Sequence, residues 1–475
     1  MDAITKNVEA EQLTALLDSQ RAALLRDGAP SLAQRRGDLE KLKRALIDRR
    51  QAIEAAVDAD FGHRSRHETA IMEIFGLVGG IDYLRKNLRR FMRPEKRHVP
   101  LHMRLGKAWI EYQPLGVVGI IAPWNYPVTL ALMPVATAIA AGNRVMLKPS
   151  ELTPSTSALL SEILESIFPK DQVVVVQGDA SVAAAFSSLP FDHLLFTGST
   201  QVGRAVMRAA SDNLVPVTLE LGGKSPVIIE RGHSLEQAAS EVAFGKLLSA
   251  GQTCIAPDYA IVHESDLDGF VQAYQASAAA LYPDGPSGAD YTSIINQRHF
   301  ERLEGLIEDA RAHGAKIVDI NFRAGSGASS PHTLAPVMVL GMTDEMRIAR
   351  EEIFGPILPI ITYRTIDEAI DYVNARPRPL ALYYFGSGGA DQRKVLTGTT
   401  SGNVMINGTI MHVAQDDLPF GGVGASGIGA YHGIEGFKRL SHAKGIYAQH
   451  RWNAVKLFRP PFGKLVDRIL NAMLR

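Results

Sequence analysis

Five short aliphatic runs recur along the first half of this chain, with helix-like segments between them: "VVGII" (117–121), "RVMLK" (144–148), "VVVVQG" (173–178), "HLLFTG" (193–198) and "VTLEL" (217–221). A run apolar at every position cannot leave one face in water, so these strands need cover on both sides. That requirement points to a parallel sheet with helices above and below it, an α/β fold. A second series begins near 226, with "PVIIE", a helix at 234–249, "YAIVH", helices near 266–281 and 296–313, then "PVMVL", "ILPIITY" and "LALYYF". It predicts a second α/β lobe. Residues 31–93 carry helical periodicity and predict an N-terminal helical layer. The stretch "VTLALMPVATAIAAG" (128–142) is too short to span a bilayer and reads as a buried helix.

At 475 residues the chain exceeds what one core usually serves, which agrees with two lobes. Paired glycines and a proline in "LELGGKSP" place the boundary there, and a cleft between the lobes is the expected ligand site. Basic and acidic residues balance at 50 each, so no overall field draws nucleic acid. The single cysteine, Cys254, excludes an internal disulfide, and no clustered thiolate spacing suggests a metal. The N-terminus has acids among spaced leucines and no apolar signal core, so it reads as an amphipathic helix and the expected location is cytoplasmic.

Several segments carry chemistry, each with a structural alternative. "FTGSTQVGRAV" follows a strand and opens a helix, with Gly198 and Gly203 bracketing Ser199; it is either a phosphate cradle at a helix N-terminus or a tight turn. "VMLKPSE" puts Lys148 and Glu151 at a strand's carboxyl end, to grip ribose hydroxyls or to form a solvated ion pair. "PWNYP" pins Trp124, Asn125 and Tyr126 between prolines, as an oxyanion donor or as a turn. "TLELGGK" ends a strand on Glu220, which is either a water-activating base or an exposed boundary glutamate. "SAGQTCIAPDY" holds Cys254, a nucleophile if neighbours make it a thiolate and otherwise a small buried hydrophobe.

Together "PWNYP", "LKPSE", "FTGSTQVG", "LELGGK", "GQTCIAPDY", "EEIFGPILP" and "LPFGGVGASGIGAYHG" resemble the NAD(P)-dependent aldehyde dehydrogenase superfamily, over residues 123–433. The form around Cys254 and the late "RPPFGKLVD" are similar to its class 3 branch, and within that to bacterial coniferyl aldehyde dehydrogenases. The resemblance implies two Rossmann-type α/β lobes with a cleft and a β-strand dimerisation arm. It implies that Cys254 attacks an aldehyde, that Asn125 and the Cys254 backbone N–H hold the oxyanion, and that Glu220 activates water. It also places the cofactor: Lys148 and Glu151 on the adenosine ribose, Ser199 on the pyrophosphate at its helix N-terminus, Glu352 on the nicotinamide ribose with Phe354 packed near the ring, and Trp124, Gly198, Gly203 and Leu221 among the cofactor-binding residues. Glu151 would repel a 2′-phosphate and favour NAD, with NADP also usable. Asn407, beside Gly408 where the branch commonly has aspartate, is carried over as a helper around Cys254.

The expected organisation is therefore 1–107 and 114–220 for the cofactor domain with its helical layer, and 221–402 for the catalytic domain. Residues 108–113 and 403–447 form the oligomerisation arm and closing segment, and 448–475 a basic amphipathic tail. The strands at 108–113 and 403–407 resemble the dimerisation arm, so a homodimer is expected. The tail is expected to fold against its own protein, the alternative being peripheral contact with an anionic membrane. Tyr126, Tyr259 and residues near His412 are candidates to line a substrate tunnel. Two rival functions are an enzyme that passes the acyl group to coenzyme A and a non-catalytic scaffold on the same fold; a water-activating Glu220 and a retained Cys254 argue against them.

Overall fold

The computed structural model describes residues 3–322, 330–452, 455–456 and 459–474. Two large sheets dominate it. The first has six strands in the order 427–428, 217–220, 193–197, 117–121, 144–148 and 173–175, parallel except for the two-residue edge strand. Its strands Val117–Ile121, Arg144–Lys148 and His193–Thr197 are buried at every position, as helical cover on both faces demands. From Val117–Ile121 the chain runs outward through 144–148 and 173–175, then returns to place 193–197 on the other side. The direction of winding thus reverses between 117–121 and 193–197, the place where open α/β sheets bind ligands at the strands' carboxyl ends.

The register across that end is explicit. Lys148 pairs with Ile121, Ile121 with Phe196, and Thr197 with Glu220. "PWNYP", "TGST" and Glu220 therefore emerge side by side, because adjacent strands lie about 4.8 Å apart. The second sheet has seven strands, ordered 316–319, 337–340, 357–363, 259–263, 226–229, 381–385 and 403–406, with only 316–319 antiparallel.

The N-terminal layer consists of Leu32–Asp48, Arg50–Phe61 and Gly76–Phe91, the first opened by a Ser31–Gln34 capping box. Leu39, Leu42, Leu46, Val57, Leu84 and Leu88 are buried with the helix Thr129–Ala141, whose residues from Ala131 on are all buried. That helix begins where the Glu73 carboxylate accepts the Val128 and Thr129 backbone N–H groups at 3.0 and 2.8 Å. A carboxylate on the first N–H groups satisfies donors that have no partner inside a helix.

Two expectations change. Residues 403–406 do not join 108–113; they pair in parallel with 381–385 as the edge of the second sheet. The strand that joins Lys107–Pro114 is Ser441–Ala448, antiparallel over eight residue pairs, with Glu95–Arg97 on the other side. The tail does form a helix, Lys464–Met473, but within one chain only Val466 of its apolar face is buried, while Leu465, Met473 and Leu474 stay exposed. Tail residues 453, 454, 457, 458 and 475 lie outside the described residues. Among the described residues no helix is long and apolar enough to cross a membrane.

The glycine-rich segment closes on the first sheet through Gly427, which pairs with Glu220 at φ 153°. A Cβ there would stand 2.3 Å from the Leu219 carbonyl oxygen, so strand and segment meet backbone on backbone. Gly427→Ala is therefore expected to lower stability by about 1–3 kcal/mol, read as a reduced denaturant midpoint at unchanged slope. An unchanged midpoint would show that this contact yields without cost.

Candidate active site

A cleft of about 210 Å³ lies between the two sheets. Pro123, Trp124, Asn125, Leu130, Thr197, Gly198, Ser199, Glu220, Leu221 and Gly222 line it from the first lobe. Cys254, His299, Arg302, Glu352 and Phe354 line it from the second.

The loop before Cys254 is held from both lobes. Ser249 and Ala250 take left-handed backbone angles, φ 51° and 50°, which L-residues adopt only under constraint. The constraint is visible. Glu68 accepts the Ser249 backbone N–H at 3.0 Å and the Thr292 hydroxyl at 2.6 Å. Gln252 donates to the Ser249 and Ser293 carbonyls at 3.0 Å each, and its side-chain oxygen accepts the Ile295 N–H at 2.9 Å. The Asn125 amide donates to the Gln252 carbonyl at 3.0 Å, and the Tyr126 hydroxyl meets Thr253 Oγ1 at 2.8 Å. Behind Asn125, the buried Arg64 donates to its carbonyl and lies over the Phe61 and Tyr126 rings at 4.6 and 4.8 Å. These bonds fix where the thiol sits.

Glu352 is positioned by a different set. Lys224 is paired with Asp258 and donates to the carbonyls of Ile348 and Glu351 at 2.8 and 2.9 Å, and Asp258 accepts the Ile353 N–H at 2.9 Å. Arg302 donates to the carbonyls of Glu352 and Ile353. The Glu352 carboxylate rests against Gly222, where a Cβ would stand 2.1 Å from it. Phe354, at φ 52°, meets the Trp124 ring edge-on at 5.4 Å, and His299 lies 5.0 Å from Trp124 on its other neighbour contact.

The electrostatics are those of a dry site. Both carboxyl oxygens of Glu220 are buried without a hydrogen-bond partner among the described residues, and burial pushes its pKa well above the usual carboxylate range. Burial raises Glu352 to about 7. The Cys254 thiol, partly open to the cleft, is pushed up to about 12 by burial and then by the charges of Glu352 and Glu220. A nucleophile here needs a partner for its negative charge.

Of the expected catalytic residues, Cys254, Glu220 and Asn125 all line the cleft. So do Trp124, Gly198, Ser199, Leu221, Glu352 and Phe354. Four others do not. Lys148 is buried one strand beyond Ile121 and donates to Pro149 O and Glu151 at 3.0 and 3.3 Å, so both residues sit on the same sheet edge but outside the cleft. Gly203 lies inside the helix Thr200–Ser211, where its missing side chain makes room for Leu221. Asn407 is not beside the thiol: its amide exchanges two bonds with Gly386, both 2.9 Å. Tyr259 is a core residue packed on Tyr372 and does not line the cleft, whereas Tyr126 is tied to Thr253. Ser199 caps its helix, accepting the Val202 N–H. The helix N-terminus, the apolar Trp124 and Phe354 rings and the buried Glu352 suit a phosphate-bearing dinucleotide in shape and donor type. Sequence reading missed His299 and Arg302, whose spacing of three puts them on one helix face, and the buried supports Arg64, Glu68 and Asp258.

Replacing Glu352 by glutamine removes one charge that opposes the thiolate. Without cofactor, Glu352→Gln is expected to lower the apparent pKa of Cys254 alkylation by iodoacetamide and to speed that reaction at pH 8.5. An unchanged apparent pKa and rate would assign the high thiol pKa to burial and not to the Glu352 charge.

The profile of the aldehyde dehydrogenase family matches residues 3–446. A probable coniferyl aldehyde dehydrogenase of Pseudomonas aeruginosa is 49% identical over 462 residues, covering 97% of this chain and 96% of that protein. Among solved structures, the substrate-bound state of Staphylococcus aureus AldH is similar with a TM-score of 0.90 at 35% identity, covering 100% of both chains. A Mycobacterium tuberculosis aldehyde dehydrogenase complexed with NAD+ is similar with a TM-score of 0.84 at 29% identity, covering 94% of this chain and 91% of that one. Since the match runs across both sheets and the cleft they enclose, the chain belongs to the aldehyde dehydrogenase family.

Proposed function

We propose that Cys254, Asn125 and Glu220 divide between them the oxidation of an aromatic aldehyde of the coniferyl type to its carboxylic acid. The observation that carries this reading is that Cys254, Glu220 and the Ser199 helix N-terminus share one cleft. The Cys254 thiol releases its proton to solvent, and the thiolate sulfur adds to the aldehyde carbon as the carbonyl π electrons move onto oxygen. Asn125 has two amide N–H bonds, of which one is committed to Gln252. The other, with the Cys254 backbone N–H, is available to the oxyanion. NAD(P), when bound, supplies the acceptor for the hydride that leaves this carbon, and the carbon is left as a thioester. Glu220 then takes a proton from water as the water oxygen bonds to the acyl carbon; the carbon–sulfur bond breaks and the acid departs.

The cofactor residues follow the sheet edge. Ser199 and Gly198 would hold the pyrophosphate, Glu352 the nicotinamide ribose, and Lys148 with Glu151 the adenosine ribose. Glu151 is exposed and would repel a 2′-phosphate, which favours NAD. The aromatic substrate is supported by the near full-length relative named for coniferyl aldehyde and by the rings of Tyr383, Phe420 and Tyr431 around the nucleophile's neighbours.

The chain assembles as a homodimer in the cytoplasm. The edge strand 403–406 leaves one side of its ladder unpaired, with Val404 and Ile406 exposed, and the arm strand 441–448 leaves another. Sedimentation should give twice the 51.5 kDa chain mass, and a monomer at micromolar concentration would remove this assignment.

Cys254→Ala should abolish aldehyde-dependent NADH formation. Glu220→Gln should release one burst of NADH per active site and then stall, because hydride transfer precedes the step that needs the base. In the wild type, the hydrolytic step should quicken as pH rises through the raised Glu220 pKa, since only the deprotonated form accepts the proton. Full steady-state turnover by Glu220→Gln would remove Glu220 from this role. A product recovered as acyl-CoA instead of free acid would assign the acyl group to a different acceptor.

A further inference from the structure

A cluster of rings lies near Cys254 on a side that the cofactor cleft does not reach. Its link to the nucleophile is Tyr383, whose hydroxyl donates to the carbonyl of Ile255, the residue after Cys254. The same hydroxyl accepts the Ile410 backbone N–H at 3.3 Å, so it also holds the turn that leads to His412. His412 packs against Tyr383 at 5.9 Å and Phe420 at 6.0 Å, and Phe420 stacks on His432 at 5.0 Å. None of these rings lines the cleft that holds Ser199 and Glu352.

His412 is the odd member. It is only 8% exposed, and among the described residues neither ring nitrogen has a hydrogen-bond partner. Burial lowers its pKa to about 4, so at neutral pH the ring carries one N–H donor and one bare lone pair, both unmet. Buried polar groups in folded proteins are satisfied as a rule, and an exception calls for a reason. The backbone adds a second sign: Ile410 stands at φ 61°, a conformation that costs a β-branched residue energy and persists only where neighbours impose it. Tyr383 and the Thr409 hydroxyl, which donates to the Glu241 carbonyl at 2.6 Å, impose it here.

We propose that His412 is a specificity residue that hydrogen-bonds a phenolic hydroxyl at the far end of an aryl aldehyde whose carbonyl lies at Cys254. The inference rests on the aromatic-aldehyde reading above. A phenol both donates and accepts, so it meets either imidazole nitrogen; an alkyl tail meets neither. The Tyr383 and Phe420 rings packed on His412 offer apolar surface to the aryl group, and the imidazole offers a directional contact.

The test compares kcat/KM for 4-hydroxycinnamaldehyde, cinnamaldehyde and hexanal at saturating NAD, in the wild type, His412→Phe and His412→Gln. The wild type should prefer the hydroxylated aldehyde, and His412→Phe should lower the ratio of hydroxylated to unhydroxylated substrate about tenfold, chiefly through KM. His412→Gln, which keeps a donor and an acceptor, should restore part of that ratio. His412→Phe should also not lower the melting temperature, since it removes two unmet polar groups. A ratio unchanged in His412→Phe, or an equal loss on all three substrates, would overturn the proposal. If His412→Phe does not fold, the ratio in His412→Gln and His412→Leu decides in the same way. A wild type that oxidises hexanal but neither aryl aldehyde would remove the aromatic reading and this inference together.

Discussion

Gln252 uses both ends of its amide to hold the backbone on which Cys254 sits, and its own carbonyl accepts the Asn125 side chain. Through that one residue the second lobe's nucleophile is tied to the first lobe's "PWNYP" turn. Asn125 in turn is backed by Arg64, which lies 3.8 Å from the Glu73 carboxylate that caps the helix Thr129–Ala141. A chain of buried polar contacts therefore joins the thiol loop to the sheet edge where a dinucleotide fits. Within it Gln252 has both ends of its amide paired, which stiffens the thiol loop, whereas Arg64 Nε and Nη2 and Glu73 Oε1 have no hydrogen-bond partner among the described residues. The rigidity matters because acyl transfer needs reacting atoms held within a few tenths of an ångström.

The same burial makes the cofactor-free site electrostatically unfavourable. Glu220 and Glu352 both resist ionisation, and the thiol is opposed by whichever of them is charged. Three acidic groups in one dry cleft cannot all lose protons together. In the proposed mechanism that arrangement would separate two tasks in time: the sulfur would carry the negative charge for attack, and the carboxylate would carry it for hydrolysis. The bound cofactor's positive ring is the charge that would relieve the first demand, and solvent entering with the acyl-enzyme would relieve the second.

How much of this the sequence carried depended on the kind of signal. Strands such as "VVGII" and "RVMLK" were legible because burial on both faces leaves an unbroken apolar run, and Glu220 because it ends one. The arm was misread at 403–407. Half-exposed alternation marks a strand but not its partner, and the true partner of 107–114 lies more than 300 residues away at 441–448. His299 and Arg302 were illegible since a polar pair on an amphipathic helix looks like a solvated face. Arg64, Glu68 and Asp258 act only through contacts with distant segments, which no local pattern encodes. Lys148 was located correctly on the sheet edge, but a motif could not say how far the cleft extends along it.

The central claim is that the acyl group passes through the Cys254 sulfur. Peptide mass spectrometry of Glu220→Gln, quenched in acid after mixing with NAD and an aryl aldehyde, tests it directly. The account predicts that the peptide containing Cys254 carries the aldehyde's mass less its hydride and the thiol proton, in step with the NADH formed. An unmodified Cys254 peptide alongside stoichiometric NADH would contradict it.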